Sequence, residues 1–283
     1  MAKSVMLAPN DKVDFKDLKY PQLISRKYDG LRMVVKSGEL YTRNWNFVPN
    51  DRLIKILTHP IASISEEKSF VFDGEFYSHE VTFQQIVRVA STRNAVVDAS
   101  YGYYIFDVLT KHEWVDENEP VYYKRRDRYL RLLEKYKISN VFPIEQYLVT
   151  NAEQARNYYE QFVEEGYEGA MVRNIEGKYK HGRARVSQNL IFKFKSLLKG
   201  TGRIVEVLEG LREDRLAGYA GSIRVVMPDG VETKLMFSRG FNMYEKKRLW
   251  EKRDTLLGKT AEIEYIAVGN KLRPRSGRVI RII

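Results

Sequence analysis

Short apolar runs set between turn residues dominate the first part of the chain. The runs 31–36, 39–43, 69–77 and 101–109 are rich in Val, Ile, Tyr and Phe, and Ser37-Gly38 parts the first two as a turn. Two later runs, 169–173 and 190–195, have the same character. Between the strands the period lengthens. Residues 51–57, 82–90, 121–137 and 151–165 predict helices; in the last, Ala152, Ala155, Tyr158, Tyr159 and Phe162 fall near one face. The layout is mixed helix and strand with hairpins, without regular strand–helix–strand alternation or a glycine-rich phosphate loop.

Beyond Lys199-Gly200-Thr201-Gly202 the pattern changes. Residues 203–209, 219–227, 231–238, 259–267 and 277–283 read as five strands, with Pro228-Asp229-Gly230 as a turn between the second and third. One helical stretch, 242–256, falls between the third and fourth. Five strands with a helix in that place suit an OB-type barrel, a fold often used on nucleic acid. Two domains are therefore expected, 1–200 and 201–283.

The 283 residues are 43% apolar and 30% charged, which suits a globular chain with a sizeable core. No apolar run approaches the roughly 18 residues of a membrane span, and the N-terminus lacks a secretory apolar region, so a cytoplasmic place is expected. The absence of cysteine excludes disulfides, thiol nucleophiles and cysteine-held zinc. His59, His79, His112 and His181 show no metal-ligand spacing. Net charge is +11: residues 201–283 hold 17 Lys and Arg against 11 Asp and Glu, and the first 200 hold 31 against 26. The basic density is higher in the C-terminal part. Such a surplus points to a polyanion, nucleic acid being the commonest.

Five stretches carry candidate chemistry. "KYDGLR" holds Lys27, Asp29 and Arg32; "FVFDGEFY" holds Asp73-Gly74-Glu75; "YYIFDVL" holds Phe106-Asp107. "GYEGAMVRN" places Glu168 just before a short strand that carries Met171. In "LIFKFK", alternation puts Lys193 and Lys195 on one face and Phe192 and Phe194 on the other. Taken singly, each is ordinary: Asp29-Gly30 can be a plain turn, and alternating Lys and Phe a half-exposed strand.

In this order and spacing the five resemble the nucleotidyltransferase motifs of ATP-dependent DNA ligases, of the minimal two-domain viral and bacterial type. "YTRNW", with Arg43, resembles the arginine motif that follows the lysine motif. The resemblance is strong over residues 20–200 and weaker beyond. It implies an α+β fold: a nucleotidyltransferase (ATP-grasp-like) domain of antiparallel sheets with helices, then a small OB-fold barrel. The implied partners are ATP, Mg²⁺ or Mn²⁺, and nicked duplex DNA, with a monomer at work in DNA repair, replication and recombination. The implied setting is a bacterial cytoplasm or a virus-infected cell.

The resemblance also assigns roles. Lys27 attacks the α-phosphorus of ATP, pyrophosphate leaves, and AMP passes from the lysine to a DNA 5′-phosphate, which the 3′-hydroxyl then attacks. A lysine amine must be neutral to attack, yet free lysine titrates near ~10.4; neighbouring cations, Lys193 and Lys195 among them, would lower that value. The same cations would stabilise charge on the phosphates. Glu168 and Asp29 would hold the metal through oxygen, as Mg²⁺ and Mn²⁺ prefer. Arg32 and Glu75 would take the ribose hydroxyls, Phe106 and Met171 would sandwich the adenine, and Arg43 would contact the phosphate end of the nick. Met171 equally suits plain core packing.

Arg212 and Arg215, in the short 209–221 connection, together with Arg273 and Arg275 and the basic 246–253 stretch, are candidate grips on DNA phosphate. A solvated helix face around Leu249 or Trp250 accounts equally well for 246–253. With 26 residues ahead of Lys27, a separate N-terminal DNA-binding domain is not expected. The Arg-x-Asp-Lys motif of the family is incomplete at Arg281-Ile282-Ile283. Two other readings compete: an RNA ligase or capping guanylyltransferase of the same superfamily, and a non-catalytic OB protein that only binds nucleic acid.

Overall fold

The computed structural model describes residues 3–58, 70–116, 118–210, 217–238, 240–268 and 271–283, of which 58, 266–268 and 271–276 in backbone only. It divides into two compact units, Met1–Phe194 and Lys195–Ile283.

Among the described residues of the first unit, nine strands form two sheets. They are β1 (Gln22–Arg26), β2 (Leu31–Lys36), β3 (Glu39–Thr42), β4 (Phe70–Tyr77), β5 (Gly102–Thr110), β6 (Val141–Pro143), β7 (Tyr147–Val149), β8 (Gly169–Asn174) and β9 (Ile191–Lys195). One sheet has the order β7-β1-β8-β9 and the other β3-β2-β4-β5-β6. The pairings with recorded registers are antiparallel except β5 with β6, an exception to the expected antiparallel sheets.

The five-stranded sheet is apolar on both faces, which explains why "LRMVVK" does not alternate cleanly. Met33 and Val35 join Phe72, Phe76 and Tyr103 on one side, under α1 (Phe83–Ser91), from which Ile86 and Ala90 pack, and a longer helix that supplies Tyr129 and Leu133. Val34, Val71 and Leu109 join Trp114, Tyr179 and Ile191 on the other. Trp114 belongs to α2 (Lys111–Asp116), and the longer helix is α3 (Tyr122–Tyr136). A strand covered on both sides reads as a continuous apolar run.

The four-stranded sheet packs under α4 (Ala152–Glu164). Ala155 and Phe162 are fully buried there and Tyr158 and Tyr159 partly, which is the apolar face anticipated for this helix. Asn151 starts it, its side-chain oxygen accepting from the Gln154 N–H at 2.9 Å. Burying a ring such as Phe162 contributes about 1.5–3 kcal/mol.

The second unit is a closed barrel in the order β10-β11-β12-β14-β13. Its strands are β10 (Leu198–Glu209), β11 (Ala220–Val226), β12 (Glu232–Phe237), β13 (Thr260–Val268) and β14 (Lys271–Ile282). Ile204, Ile223, Leu235, Ile263 and Val279 point inward, and the next helix, α5 (Met243–Glu251), lays Leu249 and Trp250 on that core. The barrel is OB-like, with its helix between the third and fourth strands. Residues 199–202, expected to part the domains, lie inside β10; the two compact units meet between Phe194 and Lys195.

Candidate active site

Lys27 to Gly30 do not close a hairpin. β1 belongs to the four-stranded sheet and β2 to the five-stranded one, so this loop crosses between sheets. The plain-turn reading of Asp29-Gly30 therefore gives way to a crossover that delivers Lys27 to the junction. Gly30 is required there, because a Cβ would run into the Phe76 backbone oxygen. Just past β1, the Lys27 N–H donates to the Gly169 oxygen at 2.9 Å and the Glu168 N–H donates to the Lys27 oxygen at 3.1 Å. The Lys27 Nζ pairs with Glu168 Oε2; the two side chains are 19% and 6% exposed. Asp29 is half-buried beside them in sequence.

Arg32, on β2, opposes Glu75 on β4. Its guanidinium, however, closes on the next inward carboxylate: Nε donates to Asp73 Oδ1 at 2.8 Å and Nη2 to Oδ2 at 2.5 Å, with Nη1 on the Met6 oxygen at 2.7 Å. Asp73 also accepts from the Tyr179 hydroxyl at 2.9 Å. Burial pushes the Glu75 carboxyl up to about 7, against the pull of Lys27 and Arg32 and with the push of Glu168 and Asp73. These five groups share one electrostatic field.

Phe106, on β5, is half-buried, as is Met171 on β8. Two residues along the same face of β8, Arg173 Nη1 donates to the Phe106 oxygen at 3.1 Å and to Asp107 Oδ2 at 2.7 Å. That bond brings the Met171 face of one sheet to the Phe106 end of the other. Asp107 is fully buried and also receives Arg125 Nε at 2.7 Å. Burial works against the Asp107 carboxylate, but Arg125 and Arg173 outweigh it and hold its pKa below the ordinary range. The Arg32 and Arg173 guanidinium carbons lie 5.1 and 5.7 Å from the centre of the Phe106 ring.

On β9 the alternation holds. Phe192 is buried, and Phe194 stacks on Phe15 with centroids 3.8 Å apart. Lys193 and Lys195 take the opposite face, and Lys193 Nζ donates to Asn10 Oδ1 at 2.9 Å. Arg43 lies past the end of β3 rather than in it. It is exposed in a turn closed by Trp45 N–H to Thr42 oxygen at 2.9 Å and Thr42 N–H to Asn46 oxygen at 2.8 Å. Trp45 takes φ 63° there, and its indole N–H is fixed on the Lys3 oxygen at 3.0 Å.

Arg212 and Arg215 lie outside the described residues, and the side chains of Arg273 and Arg275 lie outside them as well. In the basic 246–253 stretch, Lys247, Arg248 and Lys252 are exposed while Leu249 and Trp250 are half-buried on the barrel. Asp73, Asp107, Arg173, Tyr179, Asn10 and Arg183 had no role in the sequence reading. Of these, Asp73, Asp107 and Arg173 stood inside quoted motifs, with no signal naming their partners.

Residues 6–195 match the family described as the ATP dependent DNA ligase domain. The chain belongs to the ATP-dependent DNA ligase family. A relative of this ligase-family chain, the DNA ligase of African swine fever virus (isolate Tick/South Africa/Pretoriuskop Pr4/1996), is 30% identical over 196 residues, covering 66% of this chain and 45% of the viral protein. The DNA ligase of Enterobacteria phage T4 is 28% identical over 132 residues, covering 44% of this chain and 26% of the phage protein. The chain thus spans less than half the length of these curated relatives. Among solved structures, a Lig E DNA ligase, described as binding DNA with a minimal scaffold, superposes over 100% of both chains with a TM-score of 0.75 at 18% identity. The Chlorella virus DNA ligase-adenylate does so over 100% of both with a TM-score of 0.56 at 21% identity. At those identities the likeness establishes the fold. No helix among the described residues is long and apolar enough to cross a membrane.

Proposed function

We propose that this chain seals nicks in duplex DNA with ATP, through a lysine–AMP intermediate. The observation that carries the reading is the Lys27–Glu168 ion pair at the crossing of the two sheets, inside a field shared with Arg32, Glu75 and Asp73. The Lys27 amine, once it has lost its proton, forms an N–P bond to the α-phosphorus while the bond to pyrophosphate breaks. AMP then passes to the 5′-phosphate of the nick. The 3′-hydroxyl attacks that phosphate, loses its proton, and AMP leaves.

In this reading Phe106 and Met171 hold the adenine between the sheets, and Glu75 accepts from the ribose. Arg32, held by Asp73, orients the sugar. Lys193 and Lys195 face the phosphates, and Arg43 takes the 5′-phosphate of DNA from its tight turn. Glu168 and Asp29 offer carboxylate oxygens of the kind a divalent cation such as Mg²⁺ takes, and would hold it with water and nucleotide phosphates completing its shell. Bound there, such a cation would supply charge neutralisation at the reacting phosphate. The barrel would close on DNA, and the protein would act as a monomer in a bacterial cytoplasm or a virus-infected cell.

Incubation with ATP labelled at the α-phosphate, then with nicked DNA or nicked RNA, tests this. Label should appear on the protein and leave on addition of nicked DNA as the strands join. Protein that takes no label, or that joins only RNA ends, refutes the reading.

A further inference from the structure

A histidine bridges the two sheets beside the Lys27–Glu168 pair. His79 follows β4 of the five-stranded sheet. Its Nδ1 lies 3.2 Å from the hydroxyl of Tyr77, the last residue of that strand. Its Nε2 lies 3.1 Å from the hydroxyl of Tyr167, two residues ahead of β8 in the other sheet. A neutral imidazole carries one donor and one acceptor, so a single ring serves both hydroxyls. Partial burial, then the Arg26 charge, lower the His79 pKa from its ordinary value, which favours that neutral form. The bridge encloses the ring of Tyr28. That ring stacks on Tyr104 with centroids 4.6 Å apart, and meets Tyr77 at 4.8 Å and the edge of Tyr167 at 5.4 Å. Tyr28 is the residue after Lys27, and Tyr167 is the residue before Glu168.

We propose that His79 is a positioning residue: through the Tyr167 hydroxyl it holds Glu168 against Lys27. This rests on the ligase reading above for the use of the pair, and adds the group that steadies it. Tyr167 and Glu168 stand between two glycines with positive φ, Gly166 at 88° and Gly169 at 141°. Glycine leaves the backbone free to turn on either side of them. The bond from the Glu168 N–H to the Lys27 oxygen sets how far apart the two segments lie, but not how the Tyr167-Glu168 step is turned. Packed rings can slide over one another. A hydroxyl–imidazole bond is directional, so it fixes that turn from the side. His79 takes its own bearing from Tyr77, whose strand also carries Glu75.

Amide substitutions separate the tie from simple packing. Asparagine puts its amide where the ring carries Nδ1, and glutamine where it carries Nε2. His79→Asn therefore keeps the bond to Tyr77 and loses the one to Tyr167, His79→Gln keeps the one to Tyr167, and Tyr167→Phe keeps the ring without its hydroxyl. Two measurements on each protein, with thermal melts as the control for folding, test the tie. One is acetylation of Lys27 by acetic anhydride relative to exposed lysines, read by peptide mass spectrometry. The other is AMP labelling across ATP concentrations. His79→Asn and Tyr167→Phe should acetylate Lys27 at least threefold faster, because an amine paired with a carboxylate is shielded from the reagent. They should label at least fivefold more slowly at saturating ATP, with the half-saturating ATP concentration unchanged. His79→Gln should stand near wild type in both. Equal defects in His79→Asn and His79→Gln, or a half-saturating concentration that moves with the rate, mark a structural role and overturn the proposal. Either measurement unchanged in both His79→Asn and Tyr167→Phe, in a chain that takes label, overturns it too and leaves the ligase reading standing. Faster Lys27 acetylation in those two variants and not in His79→Gln, in a chain whose wild type takes no label, sustains the tie and removes the ligase reading instead.

Discussion

Glu168 and Lys27 hold each other twice, once through the backbone at 3.1 Å and once through the side-chain ion pair. The Lys27 amine, the proposed nucleophile, and its carboxylate are therefore set by the pairing of the two chain segments rather than by rotamer choice alone. Because the Lys27 side chain lies at the surface of the junction and not in a core cluster, Lys27→Ala should melt within a few degrees of wild type. It should take no AMP label, yet seal a nick that already carries 5′-AMP. Normal labelling of the alanine variant would refute the assignment of the nucleophile.

Arg32 and Asp73 form a bidentate pair in which the carboxylate is fully buried. Removing one member of such a pair strands the other. Asp73→Ala should cost about 3–5 kcal/mol in urea unfolding, and Asp73→Asn less, since it keeps an acceptor. An unchanged midpoint in Asp73→Ala would mean that Arg32 finds another partner and that the pair does not order the site.

The raised Glu75 carboxyl predicts a pH dependence. Burial raises its carboxyl to about 7 in the folded chain, above the ordinary glutamate value of 4.5. The folded state therefore keeps the proton longer than the unfolded one, so the stability tied to this group is full below pH 4.5 and falls as pH rises through 7. In the proposed role the ionised carboxylate accepts from the ribose hydroxyls, so nucleotide affinity should rise through pH 7 and level off above it. Titration calorimetry across pH 6 to 8 should show that rise in wild type and not in Glu75→Gln. A flat wild-type profile would count against ribose binding by Glu75.

The two faces of β9 should separate chemistry from stability. Lys193→Ala or Lys195→Ala should slow self-adenylation by roughly 10²–10³-fold, the usual effect of removing one charge-stabilising donor. Arginine at either position should rescue poorly, because its planar fork differs from an ammonium. Phe194→Ala, which loses the stack on Phe15, should instead cost about 1.5–3 kcal/mol of stability. Stopped labelling reactions and urea melts on the same three proteins check both halves. Slow labelling in Phe194→Ala alone would overturn the division of faces.

Runs such as 101–109 and the stretch 151–165 carried their structure in their own composition, because β-branched and aromatic residues or a single apolar face decide a strand or helix locally. The candidate site residues were legible as an ordered set of short motifs that resembles the ligase pattern, and not from any one stretch read alone. β1 escaped notice because Gln22 and Ser25 look like surface residues; they are buried only because β7 and β8 flank the strand on both sides. Lys27 looked like a turn residue because local pattern cannot show that β1 and β2 enter different sheets. The partners of the charged groups were also beyond reach. Arg32 could pair with Glu75, its register neighbour, or with Asp73, and Lys193 could face solvent or Asn10. Sequence supplies the charges, but a hydrogen bond forms within about 3 Å, and only the packing of two sheets and the anchored N-terminal segment sets distances that fine.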